Sequence, residues 1–185
     1  MLRKALDPRS IEMLLRAIGF WTGSGEWLPD PSVILRRLGR QEPDHVLTAY
    51  LRGGHVLETY RGYSWCRLEC GVAFELMGNA DLTDGTWVWP EGLVHYVEEH
   101  GVALPDEFVR LAQYHRGVVP PLTPPMQQMT HDVRMERLAE FLQRDAAGSD
   151  TTWPSDWASH ITLQNVTIDR TFWELWFERV SGGVG

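Results

Sequence analysis

Lysine is almost missing from this chain, and positive charge is scarce altogether. Lys4 is the only lysine among 17 basic residues, against 25 acidic residues, and the formal net charge is −8. Binding to nucleic acid or to an anionic membrane requires clustered Lys and Arg that neutralise phosphates. The charge therefore argues against both as main partners and favours a basic one.

Long apolar runs are also missing. No stretch approaches the roughly 18 uninterrupted apolar residues of a membrane helix. The N-terminal stretch MLRKALDPRSIEMLL has no apolar core and no small-residue cleavage site of a signal peptide. We therefore expect a cytoplasmic protein without membrane contact. In that compartment its two cysteines, Cys66 and Cys70, should be reduced.

Tryptophan, in contrast, is abundant, with nine in 185 residues. Its large ring and single N–H donor suit either heavy aromatic packing in a core or a recognition surface. Apolar residues make up 43% of the chain, which is in the ordinary globular range. The sequence leaves open which of the two uses applies.

Capping and stop signals predict several helices. A helix should begin wherever Asp or Glu stands beside Pro ahead of apolar residues at helical spacing, and Gly should end it. The predicted helices cover residues 8–18, 31–38, 44–52, 90–100, 105–115, 131–145 and 170–180, with one short helical turn at 152–160.

Strands are predicted where β-branched and aromatic residues alternate. These are residues 55–68, as one strand or two short ones, 71–78, 86–89 and 161–168, with a turn at 79–85. Together the elements predict an α+β fold, in which helices cover a small mixed or antiparallel sheet. The whole would be a single domain with a C-terminal extension.

Four prolines lie within residues 118–128 and predict a stiff, extended linker. It would separate a main α+β domain (1–117), with its central unit at 61–100, from a helix–strand–helix segment (129–185). Because the last helix is apolar nearly all round, we expect that segment to pack back on the main domain.

A metal site is the first chemical hypothesis. Cys66, Cys70, His95 and His100 form a donor set that zinc accepts. On an extended strand, however, the two cysteines would lie about 13 Å apart. Two histidines five positions apart on one helix point about 140° away from each other. The spacing therefore predicts no metal and no cofactor.

Nucleophilic catalysis is the second hypothesis. An arginine beside Cys66 could lower the thiol pKa, His95 could serve as base, and Glu91 could orient it. These three are the candidate catalytic residues, although nothing in the sequence shows that they meet. The candidate binding residues are Arg61, Ser64, Arg67, Asp81, Asp84, Trp87, Trp89, Glu91 and His95.

Residues 61–108 carry a further signal. They contain the strings RGYSWCR and DLTDGTWVWPEGLVHYVEEHGVALPDEF. This pattern resembles RGxSxCR followed by DLTDGxWxWPEGLxHYVxxHxVxLPxEF in a bacterial family of small uncharacterised proteins. The resemblance covers about fifty residues and implies no activity.

Composition and motifs together favour a binding protein without chemistry. A small, acidic, Trp-rich chain suits the immunity or antitoxin class of bacterial protein, which blocks a basic partner by charge complementarity. The alternative is an enzyme or small-ligand binder with a Cys/His/Arg/Glu pocket in residues 61–100. A third reading is a subunit of a larger assembly. Oligomeric state is not predicted.

Overall fold

The structure, a computed structural model, describes residues 13–22, 29–124, 126–127 and 166–182. The strands are β1 (Met13–Ala17), β2 (His55–Thr59), β3 (Ala80–Thr83), β4 (Trp87–Pro90) and β5 (Val166–Asp169). The helices are α1 (Pro31–Leu38), α2 (His45–Arg52), α3 (Leu93–Glu98), α4 (Asp106–Tyr114) and α5 (Thr171–Ser181), with a 3₁₀ turn at Phe74–Met77. This α+β architecture confirms the predicted fold class.

The five strands form one mixed sheet in the order β2-β3-β4-β1-β5. Strand β3 is antiparallel to both β2 and β4, whereas β1 runs parallel to both β4 and β5. The first strand of the chain therefore lies between β4 and β5. Through it, the C-terminal strand joins the same sheet as the central unit.

Four local predictions are wrong. Residues 13–17 of the predicted first helix form β1, where Leu15 and Ala17 are fully buried. Residues 71–78 form a loop with a 3₁₀ turn instead of a strand. The predicted turn at 79–85 begins with β3, and only its Asp84-Gly85 end turns. The predicted strand at 55–68 ends at Thr59, and residues 60–70 form a loop.

Helices with a strong cap signal are where the sequence predicts them. The carboxylate of Asp30 accepts from the backbone N–H of Ser32, and that of Asp44 accepts from Val46 and Leu47. Strand β4 and helices α3, α4 and α5 are likewise confirmed, as is β5 in its described part. The predicted helix at 131–145 and the turn at 152–160 lie outside the described residues.

Four tryptophans lie in the hydrophobic core. Trp21, Trp87, Trp89 and Trp173 are at most 8% exposed. The indole N–H of Trp89 donates to the Leu51 carbonyl at 3.0 Å, so its polar atom is satisfied inside the protein. For these four tryptophans, aromatic packing is therefore the observed use.

The chain on both sides of residues 128–165 contacts the sheet and its helices. Leu122 is buried, and the Pro120 carbonyl lies 2.9 Å from Nε2 of His55. From α5, Phe172 packs edge-on against Trp87 with ring centroids 5.0 Å apart. Among the described residues, no helix is both long and apolar enough to cross a membrane.

Candidate metal centre

Four side chains converge between the 60–79 loop and helix α3. They are Cys66, Cys70, His95 and His100, and their Sγ and imidazole nitrogen atoms all lie within 4.8 Å of one another. Cys66 Sγ is 3.3 Å from Nε2 of His100, and Cys70 Sγ is 3.4 Å from Nε2 of His95. The two Nε2 atoms are 3.1 Å apart. All four donor atoms therefore point at one small volume.

A tight turn brings the two cysteines together. The backbone N–H of Glu69 donates to the Cys66 carbonyl at 3.1 Å, which reverses the chain between the two thiols. Glu69 and Gly71 both adopt positive φ, 51° and 78°, a conformation that a strand does not contain. The expected separation of about 13 Å therefore does not apply, because residues 66–70 are not a strand.

The end of helix α3 brings the two histidines together. His95 lies inside α3, which ends at Glu98, so His100 lies beyond the last regular turn. There Gly101 adopts φ 64° and its N–H donates to the Val97 carbonyl at 3.2 Å. The 140° argument holds only for two residues on one continuous helix. The spacing argument against a metal site is therefore wrong for both pairs.

Tyr96 of helix α3 holds the cysteine turn, residues 66–70, by a hydrogen bond. Its hydroxyl accepts from the backbone N–H of Arg67 at 2.7 Å. Its ring packs against Trp21, with ring centroids 5.1 Å apart. The guanidinium of Arg67 lies 3.6 Å from the ring centroid of Trp65 and donates from Nε to the Thr22 carbonyl at 2.9 Å. The residues between the ligands thus hold the turn in place.

Burial favours the uncharged forms of Cys66, His95 and His100. Burial raises the pKa of the Cys66 thiol, while backbone N–H groups of Leu68 and Cys70 act in the opposite direction. Burial is also the main cause that lowers the pKa of both His95 and His100. Neutral imidazoles carry the free lone pairs that a metal ion needs.

Hydrogen bonds donated by the two thiols account poorly for the three short contacts. If each thiol donates its proton to the neighbouring imidazole, both Nε2 atoms act as acceptors. Two unprotonated nitrogens then face each other at 3.1 Å, which is repulsive. A cation at the centre would accept all four lone pairs at once.

The dimensions suit zinc. In a tetrahedral site with Zn–S near 2.3 Å and Zn–N near 2.0–2.1 Å, ligand atoms lie about 3.3–3.8 Å apart. The three contacts of 3.1–3.4 Å approach that range. Two thiolates with two imidazoles is moreover a common donor set of structural zinc sites. The residues present therefore fit Zn²⁺.

The predicted binding residues Asp81 and Asp84 make hydrogen bonds inside the fold. Asp84 is buried; its carboxylate accepts from the Thr86 and Trp87 backbone N–H groups and from the Tyr50 hydroxyl at 2.8 Å. Asp81, also buried, accepts from the hydroxyl of Tyr60 at 2.6 Å.

The other predicted binding residues are dispersed. Glu91 accepts from the backbone N–H of Asn79 at 3.0 Å and so holds the end of the loop. Trp87 and Trp89 lie in the core, and Arg61 is exposed. The backbone N–H of Ser64 donates to the Gly78 carbonyl at 3.1 Å. Of the predicted catalytic residues, the structure brings Cys66 and His95 together, in company with Cys70 and His100.

No family model, curated protein or solved structure matches this chain. Function must therefore be argued from the site. Its donor set was visible in the sequence, but Tyr96 and Trp65 gave no signal there, because their part depends on the path of the loop.

Proposed function

We propose that this protein binds one Zn²⁺ through Cys66, Cys70, His95 and His100. The single observation that carries the proposal is the convergence of all four donor atoms within 4.8 Å. The role of the metal is to fix the segment of residues 61–79 on helix α3.

A structural role follows from the number of ligands. Catalytic zinc sites keep one coordination position open for water or substrate, whereas structural sites are closed by four protein ligands. This centre offers four. Cys66 is only 5% exposed, and burial raises its pKa, which also argues against it as a free nucleophile. The Cys–His enzyme is therefore the weaker candidate.

Residues 61–79 have a physical need for such a link. They include no strand, and their regular structure is a single 3₁₀ turn at Phe74–Met77. The described backbone bonds that close the segment are at its ends, from Tyr60 N–H to Asn79 and from Ser64 N–H to Gly78. A metal bound at Cys66 and Cys70 would anchor the middle of the loop, since a site that exists only in the folded chain couples metal binding to folding.

Elemental analysis of the full chain, purified without chelator, tests the proposal. We expect one zinc per chain in the wild type and none in Cys70→Ser or His100→Ala after equal dialysis. His45→Ala, in which an exposed histidine outside the centre is replaced, should keep its zinc. A wild type without zinc, or a His100→Ala variant that retains it with undiminished affinity, would overturn the assignment.

A second candidate function, protein binding, is favoured by the surface of the same segment. Tyr63, Trp65, Phe74 and Leu76 are 50–72% exposed. Large apolar side chains grouped on one segment are typical of interaction sites. We propose a basic bacterial protein as the partner, in the manner of an immunity protein or antitoxin, because the net charge is −8.

A pull-down with zinc-loaded protein tests this second candidate. The triple variant Tyr63→Ala/Phe74→Ala/Leu76→Ala should keep its zinc and its melting temperature but lose the basic partner. The control variant Tyr114→Ala/Val118→Ala removes two other exposed apolar side chains and should retain the partner. Equal recovery with both variants would contradict an interface on residues 61–79.

The bacterial family that the motif resembles enters here as a proposal. The matched strings contain Cys66, His95 and His100, three of the four ligands. We propose that the chain belongs to that family and that the motif describes this centre.

A further inference from the structure

The two thiols of the centre differ in their access to solvent. Cys66 is buried, whereas Cys70 is exposed. Their Sγ atoms lie within 4.8 Å of each other, because the turn at Glu69 folds the chain back. An accessible sulfur beside a buried one is the arrangement of an oxidisable thiol with a resolving partner.

We infer that Cys70 is an oxidation site for hydroperoxides and that Cys66 then closes a disulfide with it, which releases the zinc. This inference rests on the proposed zinc site. It assigns to that site a regulation by peroxide, in addition to a structural role.

The chemistry balances with a hydroperoxide as the oxidant. The Cys70 thiolate attacks one peroxide oxygen, so that an S–O bond forms, the O–O bond breaks and hydroxide leaves. The Cys66 thiolate then attacks the Cys70 sulfur, forming the S–S bond and expelling a second hydroxide. Two protons from solvent convert both hydroxides to water. The two thiolates lose two electrons in total, and the peroxide gains them.

Loss of both thiolates dismantles the site. A disulfide sulfur is no longer an anionic ligand, and His95 and His100 alone leave two positions of a tetrahedron to be filled. The Cys66–His100 and Cys70–His95 links between the loop and α3 then disappear together. The segment that carries Trp65 and Phe74 thereby loses its metal link to the helix and keeps the hydrogen bond from the Arg67 backbone N–H to the Tyr96 hydroxyl. A thiol reductant with zinc reverses the change, because the disulfide is exchanged back to thiols.

The order of attack follows from the structure. A peroxide can reach Cys70 from solvent, while Cys66 is buried. Cys66 meets the oxidised sulfur from within the turn. Cys70 should therefore carry the first oxygen and Cys66 should never carry one in the wild type.

The test uses the zinc-loaded full chain, hydrogen peroxide and a metallochromic zinc indicator. We expect zinc release in step with a Cys66–Cys70 disulfide, seen by peptide mass spectrometry as the loss of two hydrogens. Reductant and zinc should restore the original spectrum. In Cys66→Ser, a sulfenic-acid probe should label Cys70. In zinc-loaded wild type treated with limiting peroxide, the same probe should label Cys70 and leave Cys66 unlabelled.

The outcomes separate the two proposals. Protein that never holds zinc overturns the proposed function and this inference with it. Zinc-loaded protein that keeps its metal under peroxide, or that loses it while Cys70 proceeds to sulfonic acid without a disulfide, overturns the inference and leaves the zinc site standing. Label on Cys66 in the zinc-loaded wild type to the level of Cys70 would contradict the proposed order of attack.

Discussion

At the scale of the residue, the buried acids Asp81 and Asp84 make hydrogen bonds that organise the sheet. Asp84 joins the β3–β4 turn to helix α2 through the Tyr50 hydroxyl. Asp81 lies on β3, where it is paired in register with Glu58 of the edge strand β2. Burial raises the pKa of Asp81 to about 7, against the opposing effect of the Tyr60 hydrogen bond. A carboxyl group in this position should hold its proton where an unfolded chain has lost it.

Asp81→Asn should therefore change how stability depends on pH. Between about pH 4 and pH 7 the folded wild type binds a proton that the unfolded chain has released. Its free energy of unfolding consequently falls by about 1.4 kcal/mol for each unit of rising pH. The asparagine variant lacks this loss and keeps the Tyr60 hydrogen bond. Its stability relative to wild type should increase from pH 4 to pH 7 and then level off.

Urea denaturation of both proteins at matched zinc concentration measures that difference. Asp106→Asn, which removes an exposed carboxylate, serves as control and should run parallel to wild type. A difference between Asp81→Asn and wild type that stays constant across this pH range would show that Asp81 is ionised in the folded state.

At the scale of the element, the sequence predicts what local chemistry determines. Helices α1 and α2 are predictable because Asp30 and Asp44 cap them within three residues. Strand β1 is not, because a short run of apolar residues suits either period. The convergence of the four donors was not predicted for a related reason: the donors were identified, but their distances depend on a turn at Glu69 and a helix end at Glu98. Neither follows from residue spacing.

The loop between the ligands returns to the sheet at Gly78, which leads to a second prediction. Gly78 has φ 70° and ψ 176°, a region that only glycine adopts readily. A Cβ there would also collide with the Glu91 carboxylate, which accepts from Asn79. Gly78→Ala should therefore lower the free energy of unfolding by about 2–4 kcal/mol, since the backbone strain adds to the loss of the Glu91–Asn79 hydrogen bond when the carboxylate moves aside.

Gly71→Ala is the matched control for this substitution. Gly71 also has positive φ, 78°, but a Cβ there would have no atom within 4 Å. Its cost should stay near the strain alone, about 1–2 kcal/mol. Chemical denaturation of the two variants decides the matter, and equal costs would contradict a specific role for the Gly78–Glu91 contact.

At the scale of the whole molecule, aromatic residues from both ends of the chain connect to the candidate metal centre through Tyr96. Trp173 of α5 is fully buried, and its indole N–H donates to the Phe20 carbonyl at 2.9 Å. Its ring lies edge-on to Trp21, with centroids 5.2 Å apart. Trp21 in turn packs on Tyr96, which holds the cysteine turn. The C-terminal helix is thus connected to the metal centre by a continuous series of aromatic contacts.

Arg16 adds a further contact between these parts. Its guanidinium lies 5.5 Å from the Trp87 centroid and 5.6 Å from that of Phe172, and it pairs with Glu107 at 2.7 Å. Strand β1, strand β4, helix α4 and helix α5 therefore meet at one side chain. Sequence reasoning could predict that an apolar C-terminal helix needs cover, but it could not identify β1 and α1 as that cover. Both depend on long-range pairing.

The last prediction concerns Trp173 and the stability of the entire fold. Trp173→Ala removes a fully buried ring and leaves the Phe20 carbonyl without its donor, so unfolding should become easier by about 3–5 kcal/mol. That is a large part of the 5–15 kcal/mol typical of a domain. Leu175→Ala, on the same helix but 46% exposed, should cost less than about 1 kcal/mol. If urea denaturation gives equal midpoints for the two variants, α5 contributes little to the core, and an assembly role for that helix would take precedence.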